Sequence, residues 1–166
     1  MKRHVFIEKT SKYISVRSYL IGRLRLPDFE NEILYLETNV SMEVLGESID
    51  RKLYESRQIT ETEFMELWNN RKEFEKFNEL ENKKIIREYG YKNKREICKD
   101  ALFLNVSICN DNLYITPSHQ DGLCTYTTAK DKNGDSVEFE YPVNLSYKEL
   151  GEAVMKGFEY CTSIYK

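Results

Sequence analysis

Few side chains in this sequence are of the kinds that carry catalysis or hold metals, and their spacing suits neither task. Histidine occurs twice, at His4 and His119. A zinc site needs three or four converging ligands. His119 and Cys124 lie close in sequence across an expected turn, but nothing beside them completes a set, so no metal site is expected. A Cys–His nucleophile pair would need a supporting motif that the flanking residues lack. Gly-x-Ser-x-Gly, Walker, His-Glu-x-x-His and EF-hand patterns are absent. Carboxylate pairs such as Glu73/Glu75 and Glu138/Glu140 arise easily among 28 acidic residues. Only convergence in space with a raised pKa would make either an acid–base dyad. No catalytic residue and no cofactor is therefore assigned.

Composition favours recognition over turnover. Twelve tyrosines supply apolar rings with polar tips, suited to strands and interfaces. Trp68, the sole tryptophan, reads either as a core anchor or as a binding hot spot. The net charge of -3 conceals strong segregation. Residues 1–26 carry seven basic side chains against Glu8 alone, whereas residues 61–81 carry seven acidic against three basic. No basic patch dominates, so direct nucleic-acid binding is not expected. An acidic block of this kind is either a solvated face or a surface that steers a basic partner.

These residues must be positioned by a chain of 166 residues, 40% hydrophobic and 13% aromatic, which fits one folded domain rather than a disordered segment. No apolar run is long enough to span a bilayer, and Glu8 and Lys9 interrupt any leader-like core. A soluble cytoplasmic protein without a membrane partner is expected. Its four cysteines, Cys98, Cys109, Cys124 and Cys161, form no C-x-x-C pair and read as reduced thiols.

An internal repeat organises the chain. Asn39-Val40-Ser41 leads through Leu45-Gly46-Glu47 to Ser56, and Asn144-Leu145-Ser146 leads through Leu150-Gly151-Glu152 to Cys161. The offset is 105 residues (151 minus 46). Ser41 and Ser146 sit where a helix N-cap belongs, and Ser146-x-x-Glu149 fits a capping box. Leu45, Ile49 and Leu53 form one apolar stripe, as do Leu150, Val154 and Phe158. Gly46 and Gly151 stand inside these helices, where glycine costs about 1 kcal/mol relative to alanine. Keeping both implies that another backbone approaches there; no further glycines follow at dinucleotide-binding spacing.

Residues 5–8, 13–19 and 33–36 are strand-like ahead of the first helix. Residues 101–108, 113–116, 123–128 and 137–141 form an expected meander ahead of the second, with Asn133-Gly134 as its best hairpin signal. The expected fold is α+β: a mainly antiparallel sheet, two repeat-related packing helices, and a central helical insertion. Two β/α halves, about 1–58 and 100–166, would flank the charged insertion at about 60–98. Within it, Thr60-x-x-Glu63 caps a helix bearing Phe64, Leu67 and Trp68, and a bend or restart is expected near Asn69-Asn70, with Asn70-x-x-Glu73 as a second cap. This excursion is either an interaction surface or a lid on the core.

The segment Val40-Ser41 … Leu45-Gly46-Glu47-Ser48-Ile49 … Leu53-Tyr54-Glu55-Ser56-Arg57 resembles a motif of CdiI-type immunity proteins of bacterial contact-dependent growth inhibition. Leu150-Gly151-Glu152 onward resembles that family's C-terminal helix. The resemblance implies a cytoplasmic protein that binds one cognate CdiA-type toxin C-terminal domain, often a nuclease, and blocks its active site. A nuclease presents basic residues to phosphates, and an inhibitor can meet them with carboxylates. Glu66, Glu73, Glu75 and Glu79, beside Trp68, are the expected toxin-binding residues. Two alternatives stay open at the level of sequence: a small enzyme with an unrecognised acid–base site, and a homo-oligomeric structural or regulatory domain.

Overall fold

Alternation along the first strand separates two faces from the start: Val5 and Ile7 turn to one side, His4, Phe6 and Glu8 to the other. The computed structural model describes all residues from Met1 to Lys166. Its order is β1 (Lys2–Lys9), β2 (Ile14–Ile21), β3 (Arg25–Pro27), β4 (Leu34–Leu36), α1 (Met42–Glu55), β5 (Arg57–Gln58), α2 (Glu61–Asn69), α3 (Lys72–Tyr89) and α4 (Lys94–Asp100). There follow β6 (Leu102–Cys109), β7 (Asn112–Gly122), β8 (Thr125–Thr128), β9 (Phe139–Pro142), α5 (Tyr147–Phe158) and β10 (Thr162–Ser163). The strands make one 10-stranded sheet with β6, β1 and β2 at its centre, and the fold is α+β.

The duplication extends beyond the two helices. β1 and β2 form a hairpin, as do β6 and β7. β4 pairs antiparallel with β2 as β9 does with β7, and each is followed by the capped helix. Each helix then returns the chain as a two-residue strand parallel to the hairpin's second strand. Leu20 and Ile21 face Arg57 and Gln58, as His119 and Gln120 face Thr162 and Ser163. In this correspondence Phe6 is the counterpart of Asn105, and those two face each other across the antiparallel β1–β6 pair. An approximate twofold axis therefore passes close to them.

Helices α1 and α5 cover one face of the sheet. Val5, Ile7, Leu104 and Val106 from the central strands meet Leu45, Ile49 and Leu53 of α1 and Leu150, Val154 and Phe158 of α5 in a single cluster. Both expected caps form: the Ser41 hydroxyl accepts from the Val44 amide, and Ser146 and Glu149 make a reciprocal capping box. The two glycines mark the helix crossing. A Cβ on Gly46 would stand 1.8 Å from the carbonyl oxygen of Tyr147, and one on Gly151 would stand 2.0 Å from that of Met42. The contact is reciprocal, since Met42 and Tyr147 are separated by the same offset as the glycines.

Several expectations need correction. β7 continues through Pro117 to Gly122, well past residue 116, and residues 123 and 124 belong to a turn, leaving β8 shorter than expected. The Asn133-Gly134 turn closes on a single bridge, Lys130 to Ser136, instead of a long hairpin. β8 and β9 do not pair with one another because each is drawn to a different stretch of β7. Asn70 does not cap α3: its side chain donates back to the Glu66 carbonyl at 3.0 Å, and α3 begins without a side-chain cap. The cysteines are not all thiols. Cys98, at the end of α4, forms a disulfide with Cys124 in the β7–β8 turn, with Cα atoms 5.3 Å apart. Cys109 and Cys161 are free.

Alanine is the better helix former, so Gly46→Ala and Gly151→Ala would stabilise an isolated helix by about 1 kcal/mol. Here each should instead lower folding stability by about 1–3 kcal/mol, since a backbone carbonyl cannot swing aside as a side chain can. Urea denaturation checks this. A raised midpoint in either variant would show that the helices do not cross backbone to backbone.

Candidate functional site

The sheet face opposite α1 and α5 is only partly covered, and its outward residues are aromatic and polar. A chain of ring contacts crosses it. Tyr19 lies edge-on to His4 at 5.8 Å and to Phe6 at 5.9 Å, Phe6 packs on Phe103 at 4.7 Å, and Phe103 meets Tyr126 at 4.1 Å. Two cavities open along this chain and share Phe6 and Tyr126. One, of about 290 Å³, lies beneath Asn78 and Asn82 of α3 and is bordered by Glu8, Arg17, Lys94 and the Cys98–Cys124 disulfide. The other, of about 360 Å³, is lined by His4, Tyr19, Arg25, Asn105, Ser118, Tyr126 and neighbouring threonines. Together they make one cleft near the approximate twofold axis.

Helices α3 and α4 wall the first of these cavities, and the insertion α2–α4 is anchored at both ends. Phe64 of α2 is buried against Leu20 and Leu26. Ile85 of α3, Tyr91 and Ile97 of α4 bury around Tyr13. The Tyr35 hydroxyl donates to Glu81 at 2.7 Å, and Tyr91 donates to Asp100 at 2.6 Å. The buried Gln120 amide donates to the Cys98 carbonyl at 2.8 Å. Between these anchors, Phe74 and Phe77 pack on Phe29 at 4.6 and 4.5 Å, while Leu80 remains 65% exposed. The break at Asn70–Arg71 lets α2 and α3 follow different parts of the sheet edge, which one straight helix could not do.

Electrostatics in the cleft is set largely by desolvation. Burial lowers the pKa of His4 from 6.5 to about 4, assisted by the charge of Arg25 and opposed by the hydrogen bond to Asn105. Burial raises the Glu8 carboxyl above its ordinary range, against a hydrogen bond from Tyr13 and the nearby Arg17 charge. The Tyr126 hydroxyl is also pushed up by burial. His4 Nε2 lies 3.0 Å from Asn105 Oδ1.

None of the residues expected to bind a partner lines either cavity. Glu66 on α2 and Glu75 and Glu79 on α3 are exposed and make no ion pair. Glu73 is exposed and paired with Lys76 at 3.0 Å. Trp68 is 38% exposed, stacked nearly parallel to buried Phe64, with Arg71 at 5.4 Å from its ring centroid. It therefore meets the small α2 core only through Phe64 and stays open to solvent. Glu75 and Glu79 share one helical face by their four-residue spacing. The His119 and Cys124 pairing considered from sequence is not assembled. Cys124 is bonded to Cys98, and His119 Nδ1 lies 2.7 Å from the Thr162 hydroxyl. The cleft residues were missed. Their signal was the alternation His4-x-Phe6-x-Glu8, Ser15-x-Arg17-x-Tyr19 and Phe103-x-Asn105, polar and aromatic where an idle surface would be more uniformly charged.

Residues 3–161 match the family model described as CDI immunity protein. The chain belongs to this family. Two solved structures share the fold across nearly all of both chains. A protein of unknown function from Neisseria meningitidis is 17% identical, with a TM-score of 0.80 and coverage of 97% of this chain and 96% of that one. A chain of a CdiA-CT/CdiI toxin and immunity complex from Yersinia pseudotuberculosis is 21% identical, with a TM-score of 0.82 and coverage of 97% and 98%. No curated protein sequence matches. No helix is long and apolar enough to cross a membrane.

His4 gives the cleft a pH signature. Above its unfolded value of 6.5 the ring is neutral in both states. As pH falls from 6.5 towards 4, the unfolded chain binds the proton first, so folding stability is lost, by about 3 kcal/mol over the window. His4→Gln should remove that part of the pH dependence, read as the difference between the two proteins' urea stabilities at each pH. Parallel pH profiles would mean that His4 is not held neutral.

Proposed function

We propose that this protein binds one cognate toxin domain of the CdiA C-terminal kind inside the cell and blocks its active site. Family membership carries the reading, and the partly covered sheet face with the acidic stretch 61–81 gives it a physical form. The cleft supplies a concave, aromatic-floored surface, which favours a shape-specific contact. Glu66, Glu73, Glu75 and Glu79 supply exposed negative charge on α2 and α3, with Trp68 as an aromatic neighbour. A nuclease toxin, which must attract phosphates, would carry the complementary charge. Recognition, with no turnover, is the task this arrangement suits.

The division of labour has a kinetic consequence. Exposed charges steer encounter and are screened by salt, whereas buried contacts govern the lifetime of a complex. Co-expression with its cognate CdiA C-terminal toxin domain should rescue cells that otherwise die on toxin induction; death at the control rate would defeat the immunity reading. With that toxin in hand, Lys substitutions at Glu66, Glu73, Glu75 and Glu79 should slow association about tenfold or more at low salt and little at high salt. An association rate unchanged across the salt series would take these four residues out of the interface.

A further inference from the structure

One covalent bond joins the insertion to the hairpin of β7 and β8, and it borders the cleft. Cys98 in α4 and Cys124 in the β7–β8 turn both line the cavity of about 290 Å³, beside Phe6, Phe103 and Tyr126. Each partner is also held without this bond. Ile97 anchors α4 in the cluster around Tyr13, and β7 pairs with β6 from Asn112 to Pro117. Between the hairpin and α4 the one hydrogen bond runs from the Gln120 amide to the Cys98 carbonyl. The disulfide therefore fixes how the turn meets the cleft wall, while other contacts hold the fold. Cys124 has a φ of 59°, a left-handed conformation that residues with a Cβ seldom adopt, so a released turn has a conformation to relax from.

We propose that Cys98 and Cys124 form a reversible thiol–disulfide pair, opened by a small monothiol of the glutathione class, that sets how firmly the cleft holds its partner. The effect on binding rests on the reading of the cleft as the toxin-binding surface; the exchange itself does not. Cys98 is 8% exposed and Cys124 is half-buried, which favours Cys124 as the point of attack. A monothiol's thiolate attacks Cys124 Sγ and forms a mixed disulfide; the protein S–S bond breaks, and its electron pair leaves on Cys98, which takes up a proton. A second thiolate attacks the monothiol's sulfur in that mixed disulfide and releases Cys124, which is protonated in turn. Two monothiols are oxidised to their disulfide, and the protein disulfide is reduced to two thiols. The free cysteines stand apart from this exchange. Cys109 lies at the opposite end of β7, and the Cys161 thiol donates to the Phe103 carbonyl at 3.1 Å, with burial pushing its pKa up to about 11. In a compartment buffered by small thiols a disulfide is usually transient and regulatory. The linked state has its cleft wall already placed, which leaves less ordering for binding to impose.

The test equilibrates the whole protein with glutathione over a series of reduced-to-oxidised ratios, then quenches, unfolds and alkylates it for peptide mapping by mass. Cys98 and Cys124 should pass from one linked peptide to two alkylated ones, while Cys109 and Cys161 remain thiols throughout. Amide spectra of the reduced and oxidised proteins should differ at α4 and residues 121–126 and coincide at α1 and α5. A pair that stays linked at every ratio, or thiol at every ratio, overturns the exchange, as does loss of the folded spectrum on reduction. Cognate toxin should dissociate about tenfold faster from the reduced protein than from the oxidised one. The double variant Cys98→Ser, Cys124→Ser should show the faster rate under both conditions. Equal rates from the two states of the wild-type protein overturn the control of binding. No binding in either state overturns the toxin reading and that control with it, while the exchange stands on the peptide map.

Discussion

The architecture depends on two helices approaching so closely that neither can carry a side chain at the crossing. At Gly46 and Gly151 the neighbouring backbone occupies the space a Cβ would need, and the contact is the same in both directions. That closeness lets α1 and α5 lie side by side over the central strands and bury both apolar stripes in one core. Larger residues would wedge the helices apart and expose part of Leu45, Ile49, Leu150 and Val154 to water, at about 25 cal/mol per Å² of apolar surface uncovered.

Covering one sheet face this completely leaves the other face free for a different task. The strands beneath it carry alternating side chains whose inner members are fixed by the core, so their outer members can vary without disturbing the fold. The outer set here is His4, Phe6, Glu8, Arg17, Tyr19, Phe103 and Asn105, contributed by both halves near the approximate twofold axis. The insertion breaks this symmetry. It anchors to Tyr13 at one end and to Leu20 and Leu26 at the other, and its α3 and α4 enclose part of the second sheet face as a cleft. Family membership and geometry thus agree on binding, reached from separate observations.

The features legible in the sequence were those that one short segment determines. Caps at Ser41, Thr60 and Ser146, the two apolar stripes and the restart after Asn69 are local, and each stands where its pattern put it. The paired glycines were legible because their cost had no local justification, which pointed to a tertiary cause. What escaped was settled by distant partners. The two-residue strands β5 and β10 exist only because a helix sets them beside β2 and β7. Cys98 and Cys124, 26 residues apart, meet because α4 is carried beneath the β7–β8 turn. The strand halves show no recognisable repeat because a strand asks only for alternation, whereas the helix crossing dictates a residue. The cleft was hidden for a related reason: polar alternation looks the same on an idle face and on a recognition face until something encloses it.

The helix-covered face holds the fold together, and on the proposed function the opposite face and its insertion meet the partner. Hydrogen exchange of the protein alone and bound to its cognate toxin tests it directly. Binding should slow exchange in β1, β2, β6, the β7–β8 turn and α2–α3, and leave α1 and α5 as they were. New protection confined to α1 and α5, with the cleft strands unaffected, would contradict the account.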